Sequence, residues 1–171
     1  LKIVNVETGK KFYDWTVPLE WKISDAYIKD NKGLRIVDFK RNNLHVVGYS
    51  MPINKKIHFS NLKNKLHFLK SQPKAIPYRT SYYKKNWGFC LSYNDYKKFK
   101  KNSIYHVHID SRLFNGKLNY GEILIKGKLK KEVLFSTNIC HPSLGNNEIS
   151  GPVLAMQLAN FLHKKKKKIL L

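Results

Sequence analysis

The sequence is poor in cysteine, poor in acids and without a long apolar run. Two cysteines in 171 residues cannot build a disulfide framework, so a reducing compartment, the cytoplasm, is the expected setting. No apolar stretch approaches the roughly 20 residues that a membrane-spanning helix needs, so no membrane partner is expected. No secretory leader precedes Leu1–Glu7, which reads as a strand, and the start reads as a cut. Acidic residues number 11 against 33 Lys+Arg, a formal net charge of +22.

What is present excludes a disordered or collagen-like chain. Apolar residues make up 42%, with 9 Phe, 10 Tyr and 3 Trp, enough for one ordinary domain with a sizeable core. The basic excess makes nucleic acid the obvious partner to consider. Its distribution argues otherwise. The cations are mostly Lys scattered beside Asn, Ile and Tyr, as an AT-rich coding sequence would produce. The one dense block, Lys164–Lys168, suits a solvated helix end. No nucleic-acid partner is expected.

The chain reads first as β-rich and then as α/β. Trp15–Pro18 leads into a strand over Trp21–Lys29, Asp30–Gly33 is turn chemistry, and Leu34–Phe39 alternates as a returning strand. His45–Tyr49 reads as another short strand. Ser60 is placed to cap a helix carrying Leu62, Leu66 and Leu69 on one face. Pro73 and Pro77 bound a loop, Trp87–Leu91 is strand-like, and Ser92 caps a short helix through Lys100. Ile104–Ser111 and Lys117–Ile125 suggest a hairpin around Asn115-Gly116. After the basic turn Lys126–Lys131, Val133-Leu134-Phe135 reads as a strand buried on both faces of a parallel sheet. A polar loop over Asn138–Glu148 follows, and then a helix over Ser150–His163 with Val153, Leu154, Leu158, Phe161 and Leu162 on one face.

Three groups of residues carry candidate chemistry. His106, His108 and Asp110 alternate, so a strand points them to one face where they could hold a metal. The plainer reading is a solvated strand face with Tyr105, Val107 and Ile109 buried behind it. Arg79, Tyr82, Tyr83 and Trp87 belong to an aromatic cluster with one arginine, suited to stacking on a sugar or base. The plainer reading there is a core cluster with Arg79 paired to an acid. Cys90 has no basic partner in sequence and is not expected to be a nucleophile. The loop after Phe135 brings His141 near Cys140, Asn146, Asn147 and Glu148 at the carboxyl end of a strand, where open α/β sheets bind ligands. His with an acid is a metal-ligating or general-base pair, or else the segment is a turn that caps the helix.

The segments D-W-T-V-P-L-E-W, H-V-V-G-Y-S-M-P-I-N-K-K-I, I-P-Y-R-T-S-Y-Y, W-G-F-C-L-S and S-T-N-I-C-H-P-S-L-G-N-N-E-I-S-G occur in this order. Together they resemble a bacterial family of aminopeptidase-like proteins, of the DUF4910 and DUF2172 type, found near polysaccharide-biosynthesis genes. That family is similar to M28 zinc aminopeptidases, with a β-rich insert in the sheet and a winged-helix domain at the C-terminus. The resemblance runs from about Val4 to His163. It implies an α/β fold, a partial M28-like zinc-peptidase sheet formed by residues 1–14 and 125–171, with a large β-rich insert over 15–124.

In intact relatives the resemblance implies zinc that activates water against a peptide or amide carbonyl. The family pattern reads S-T-H-x-C-H-P-S-x-x-N-D-N-x-S-G. It implies a zinc-binding His at the position of Asn138 and a bridging Asp at that of Asn147. Both positions hold neutral amides here, which are poor zinc ligands. His141 remains as a possible ligand, and Glu148 offers a displaced carboxylate. The expectation is that this chain binds no zinc and is vestigial or inactive, with no catalytic residue assigned. The base glutamate and remaining ligands of such enzymes come from later strands. The next strand should begin at Ile169-Leu170-Leu171, so the chain reads as a middle slice. The alternative is a non-catalytic module that binds a glycan or protein through its aromatic face.

Overall fold

Alternation of apolar and polar residues builds the two longest strands, Glu20–Lys29 and Ile104–Phe114, and these organise everything packed on them. The computed structural model describes residues 1–141 and 144–169. In chain order the strands are β1 (Lys2–Glu7), β2 (Lys11–Phe12), β3 (Trp15–Thr16), β4 (Glu20–Lys29), β5 (Arg35–Asp38), β6 (Ile53–His58), β7 (Leu66–His67), β8 (Phe89–Cys90), β9 (Ile104–Phe114) and β10 (Lys117–Glu122). The helices are α1 (Phe59–Leu62), α2 (Tyr93–Tyr96) and α3 (Gly145–Ile169), with 3-10 turns at Asn43–His45 and Lys63–Lys65. The fold is mixed α/β. It divides into two compact units, Glu7–Lys117 and Leu1–Val6 with Leu118–Leu171.

The Glu7–Lys117 unit is built on an antiparallel sheet of order β5-β4-β9-β6. Ala26 faces Ile109, Ile28 faces Val107, and Ile53 and Ile57 face Ile109 and Tyr105. One face of the sheet is therefore apolar, and Ala26, Ile28, Tyr105, Val107 and Ile109 are buried on it. Phe59, Leu62, Leu66, Phe89, Leu91 and Phe99 pack against that face to complete the core. Each large side chain so buried contributes about 1.5–3 kcal/mol of transfer free energy. The ends of the unit are joined. Thr8 N–H donates to the Gly116 carbonyl at 3.0 Å, and Gly116 N–H donates to Thr8 Oγ1 at 3.0 Å.

Five sequence expectations are corrected here. The hairpin around Asn115-Gly116 does not form: β9 pairs with β4 on one edge and with β6 over Ile104–Ile109 on the other, and β10 pairs with β1 instead of folding back on β9. His45–Tyr49 is not a strand. Asn42 caps a 3-10 turn by accepting from Leu44 N–H, and Tyr49 takes a left-handed φ of 62°, which leaves only isolated bridges at Val46 and Gly48. The helix expected from Ser60 lasts one turn. His58 is its cap, and Leu66 leaves it to pair in parallel with Phe89. Leu62 and Leu66 are buried nonetheless, so the spacing marked core positions while naming the wrong element.

The fourth correction concerns Val133-Leu134-Phe135. No strand among the described residues pairs with this segment. Its side chains are exposed instead of buried on both faces. Helix α3 forms as expected but begins earlier, at Gly145, and carries Pro152 within it. Val153, Leu154 and Phe161 lie exposed along it. Ile169 closes α3 instead of opening a strand; Leu170 and Leu171 lie outside the described residues. No helix among the described residues is long and apolar enough to cross a membrane.

Candidate functional site

The second turn of α3 and the loop before the helix meet at one glycine. A Cβ at Gly151 would run into the Thr137 hydroxyl, so any larger residue here would force Thr137 to turn or shift. Helix geometry then turns Glu148 toward the loop. Its N–H donates to the Leu144 carbonyl at 3.0 Å, and its side chain is buried.

The Glu148 carboxylate organises the loop. Oε2 accepts the Cys140 N–H, and Oε1 lies 2.6 Å from His141 Nδ1. Asn147 Nδ2 donates to the same Oε1 at 2.8 Å and lies 2.9 Å from His141 Nδ1. The Cys140 N–H, followed by the His141 N–H and ring, holds the Glu148 carboxyl below the usual carboxylate range, against the opposing effect of burial. Cys140 Sγ lies 3.6 Å from His141 Nδ1, 3.7 Å from Nε2 and 4.0 Å from Glu148 Oε1. Asn138 Nδ2 approaches the same sulfur at 4.0 Å.

The structure thus brings Asn138, His141, Asn147 and Glu148 into one cluster. It adds Cys140, which the sequence placed in the loop but not among the candidate ligands. Cys140, His141 and Glu148 each offer a ligand atom, all within 4.8 Å of one another. The donor set does not fit the carboxylate-bridged zinc pair that the resemblance implies. The positions of the expected histidine and bridging aspartate are amides, and the one acid is turned inward onto backbone N–H groups.

The aromatic residues are divided. Tyr82 and Tyr83 meet edge to face with ring centroids 4.7 Å apart, and Tyr82 continues to Tyr49 at 4.8 Å. Tyr49 stacks on Trp21, whose Nε1 donates to the Ser50 carbonyl at 2.9 Å. Trp87 packs on the core, with Lys65 Nζ 5.4 Å from its ring centroid. Arg79 is exposed, and no acid among the described residues pairs with it, against the expected ion pair. Cys90 is fully buried, and burial pushes its thiol up to about 12 despite the opposing Arg79 charge.

On the outer face of β9, His106 and His108 pack round Tyr27 while Tyr105, Val107 and Ile109 are buried behind them. His106 Nε2 lies 2.6 Å from Asn54 Oδ1, and burial, with the charge of Lys29, His108 and Lys56, lowers its pKa. His106 and His108 are half-buried rather than solvated, and His108 Nδ1 is a buried atom with no hydrogen-bond partner among the described residues; Asp110 is exposed.

The family model for DUF2172, a domain of unknown function, matches residues 20–112, more than half of the chain. The chain belongs to this family. It is 46% identical over 168 residues to a Clostridium acetobutylicum protein provisionally named for polysaccharide biosynthesis with an aminopeptidase-like domain. That alignment covers 98% of this chain and 38% of the relative. A crystal structure of a provisionally named peptidase from Clostridium acetobutylicum superposes with a TM-score of 0.88 at 46% identity. The superposition covers 95% of this chain and 38% of the other. The chain therefore spans well under half the length of the relatives that it matches.

Proposed function

We propose that this member of the DUF2172 family is an aminopeptidase-like module related to M28 metallopeptidases, inert toward peptide bonds as it stands. On this reading residues 15–124 form a β-rich insert, and residues 1–14 with 125–171 form part of the peptidase-like sheet domain. The relatives' names, one with an aminopeptidase-like domain and one a provisionally named peptidase, support the class. One observation carries the inertness: neutral amides, Asn138 and Asn147, stand where the resemblance implies the histidine and bridging aspartate of a zinc pair.

Hydrolysis of an aminoacyl p-nitroanilide by the purified chain, with and without added zinc, tests this reading. No turnover above background is expected. Turnover that a chelator abolishes would show that the chain is a working peptidase.

A second reading is favoured by Tyr83, which is 83% exposed and braced edge to face by Tyr82. Exposed paired tyrosines suit the apolar face of a sugar ring. The relative's association with polysaccharide biosynthesis makes a glycan the ligand to try. Affinity electrophoresis in gels containing bacterial polysaccharide should then retard the chain, with the retardation lost in Tyr83→Ala. Equal mobility with and without polysaccharide removes this reading.

A further inference from the structure

We propose that Cys140, His141 and Glu148 form a site for one borderline-soft divalent cation of the zinc or cobalt class. This is a mononuclear site, distinct in its ligands from the bridged zinc pair whose positions hold Asn138 and Asn147. The sequence left His141 and Glu148 as two competent donors, which is too few for tight binding. The fold adds a thiol. Sulfur, imidazole and carboxylate are together the donor set that zinc takes in proteins.

The three donors are close enough to converge on one ion, with ligand atoms all within 4.8 Å of one another. Bonds of about 2.3 Å to sulfur and 2.0–2.1 Å to nitrogen or oxygen put tetrahedral ligand edges at roughly 3.3–3.6 Å. Cys140 Sγ already stands 3.6 Å from His141 Nδ1 and 4.0 Å from Glu148 Oε1. The His141–Glu148 edge, at 2.6 Å, is too short; it is a hydrogen bond that the ion would replace, and it must open by about 0.7 Å. The sulfur lies 3.6 and 3.7 Å from the two ring nitrogens, against the ring, so it must also swing to the Nδ1 side. Both are side-chain rotations, and Cys140 is exposed.

Glu148 can serve two partners at once. Oε2 stays on the Cys140 N–H, which fixes the carboxylate, while Oε1 turns to the ion. Charge favours the same outcome. A thiolate and a carboxylate cancel the two charges of the ion, which matters in a chain of net charge +22. Asn147 contributes no charge and cannot bridge to a second ion, which limits the site to one. Three protein ligands leave the fourth position to water.

The proposal needs only the loop geometry, so it stands or falls separately from the aminopeptidase-like reading. Cobalt(II) is titrated into the 171-residue chain under reducing conditions, and near-ultraviolet absorption reads the sulfur-to-cobalt charge transfer. The band should saturate at one equivalent. Cys140→Ser, a near-isosteric change at an exposed side chain, should abolish it. Zinc affinity, read by competition with a chromophoric chelator, should fall at least tenfold in Cys140→Ser, His141→Ala and Glu148→Gln, and remain unchanged in His106→Ala. Far-ultraviolet circular dichroism shows that each variant retains its fold. Absence of a saturable band, its persistence in Cys140→Ser, or loss of affinity in His106→Ala would each overturn the proposal.

Discussion

Arg35 lies across the ring of Tyr27, its guanidinium carbon 4.1 Å from the ring centroid, while its N–H groups grip two acids. Nη2 and Nη1 reach the two Asp25 oxygens at 2.8 and 3.2 Å, and Nη1 also reaches Asp38 Oδ1 at 3.1 Å. One side chain thus ties β4 to β5 by charge on the face opposite the apolar core. Burial raises the Asp25 carboxyl, but the hydrogen bonds and charge of Arg35, with Lys40, outweigh it and hold the group below the usual range.

A depressed folded pKa gives stability that is complete above the unfolded value, about 4. That stability is lost as the pH falls through the folded value. Arg35→Met should therefore destabilise the chain at pH 7 by about 1.5–3 kcal/mol, the range for hydrogen bonds to charged groups. The gap between wild type and variant should narrow as the pH is lowered from 4 toward 2. Urea unfolding at a series of pH values checks both. A gap that stays constant with pH would remove the linkage from Asp25.

Phe89 is fully buried where β8 meets β7 and the bridge from Val46. Phe89→Ala should cost about 3–5 kcal/mol through lost transfer energy and the cavity left behind. Tyr83→Ala should stay within about 0.5 kcal/mol, as surface changes do. Chemical denaturation of both variants gives the comparison, and similar losses would mean that Phe89 is not a keystone of this core.

The two cysteines should differ in reactivity. Cys140 is exposed and Cys90 is buried, with its thiol pushed up to about 12 by burial. A disulfide reagent at neutral pH should label one thiol rapidly and the second only on unfolding. Mass mapping should place the fast adduct on Cys140. Fast labelling of Cys90 would mean that the core opens readily at β8.

Helix α3 exposes Val153, Leu154 and Phe161, and the segment before it exposes Val133 and Leu134. Little tertiary packing protects such a helix, and isolated helices are marginal in water. Its amides should exchange with solvent much faster than those of β4 and β9. Hydrogen exchange followed by mass spectrometry resolves the two zones. Uniformly slow exchange over both would show that α3 is buried by a partner surface in solution.

Much of the fold is legible where neighbours in sequence decide it. Alternation marks β4, β5 and β9, the Asp30–Gly33 turn joins the first two, and Ser92 caps α2, accepting from Asp95 N–H at 3.0 Å. What is illegible depends on distant partners. Leu62, Leu66 and Leu69 keep helical spacing, yet Leu66 is claimed by Phe89, a pairing no local pattern announces. Asn115-Gly116 has hairpin chemistry, but β10 after it is claimed by β1, from the far end of the sequence. At the candidate site, His141 and Glu148 are legible as a His–acid pair. The thiol of Cys140 joins them only because Glu148 takes the Cys140 N–H and draws the loop inward.

The two hydrogen bonds between Thr8 and Gly116 bear on how such a unit can change over evolutionary time. A stretch of chain that departs and returns at the same point in space leaves no displacement for its surroundings to absorb. Strands between those points can lengthen, shorten or exchange their turns while the flanking residues keep their places. Closing the stretch into a ring, or joining its ends with a few glycines and opening it at the Asp30–Gly33 turn, asks for no rearrangement of the sheet. The stitch at Thr8 therefore fixes where the chain enters and leaves the unit, whatever the length of the strands between.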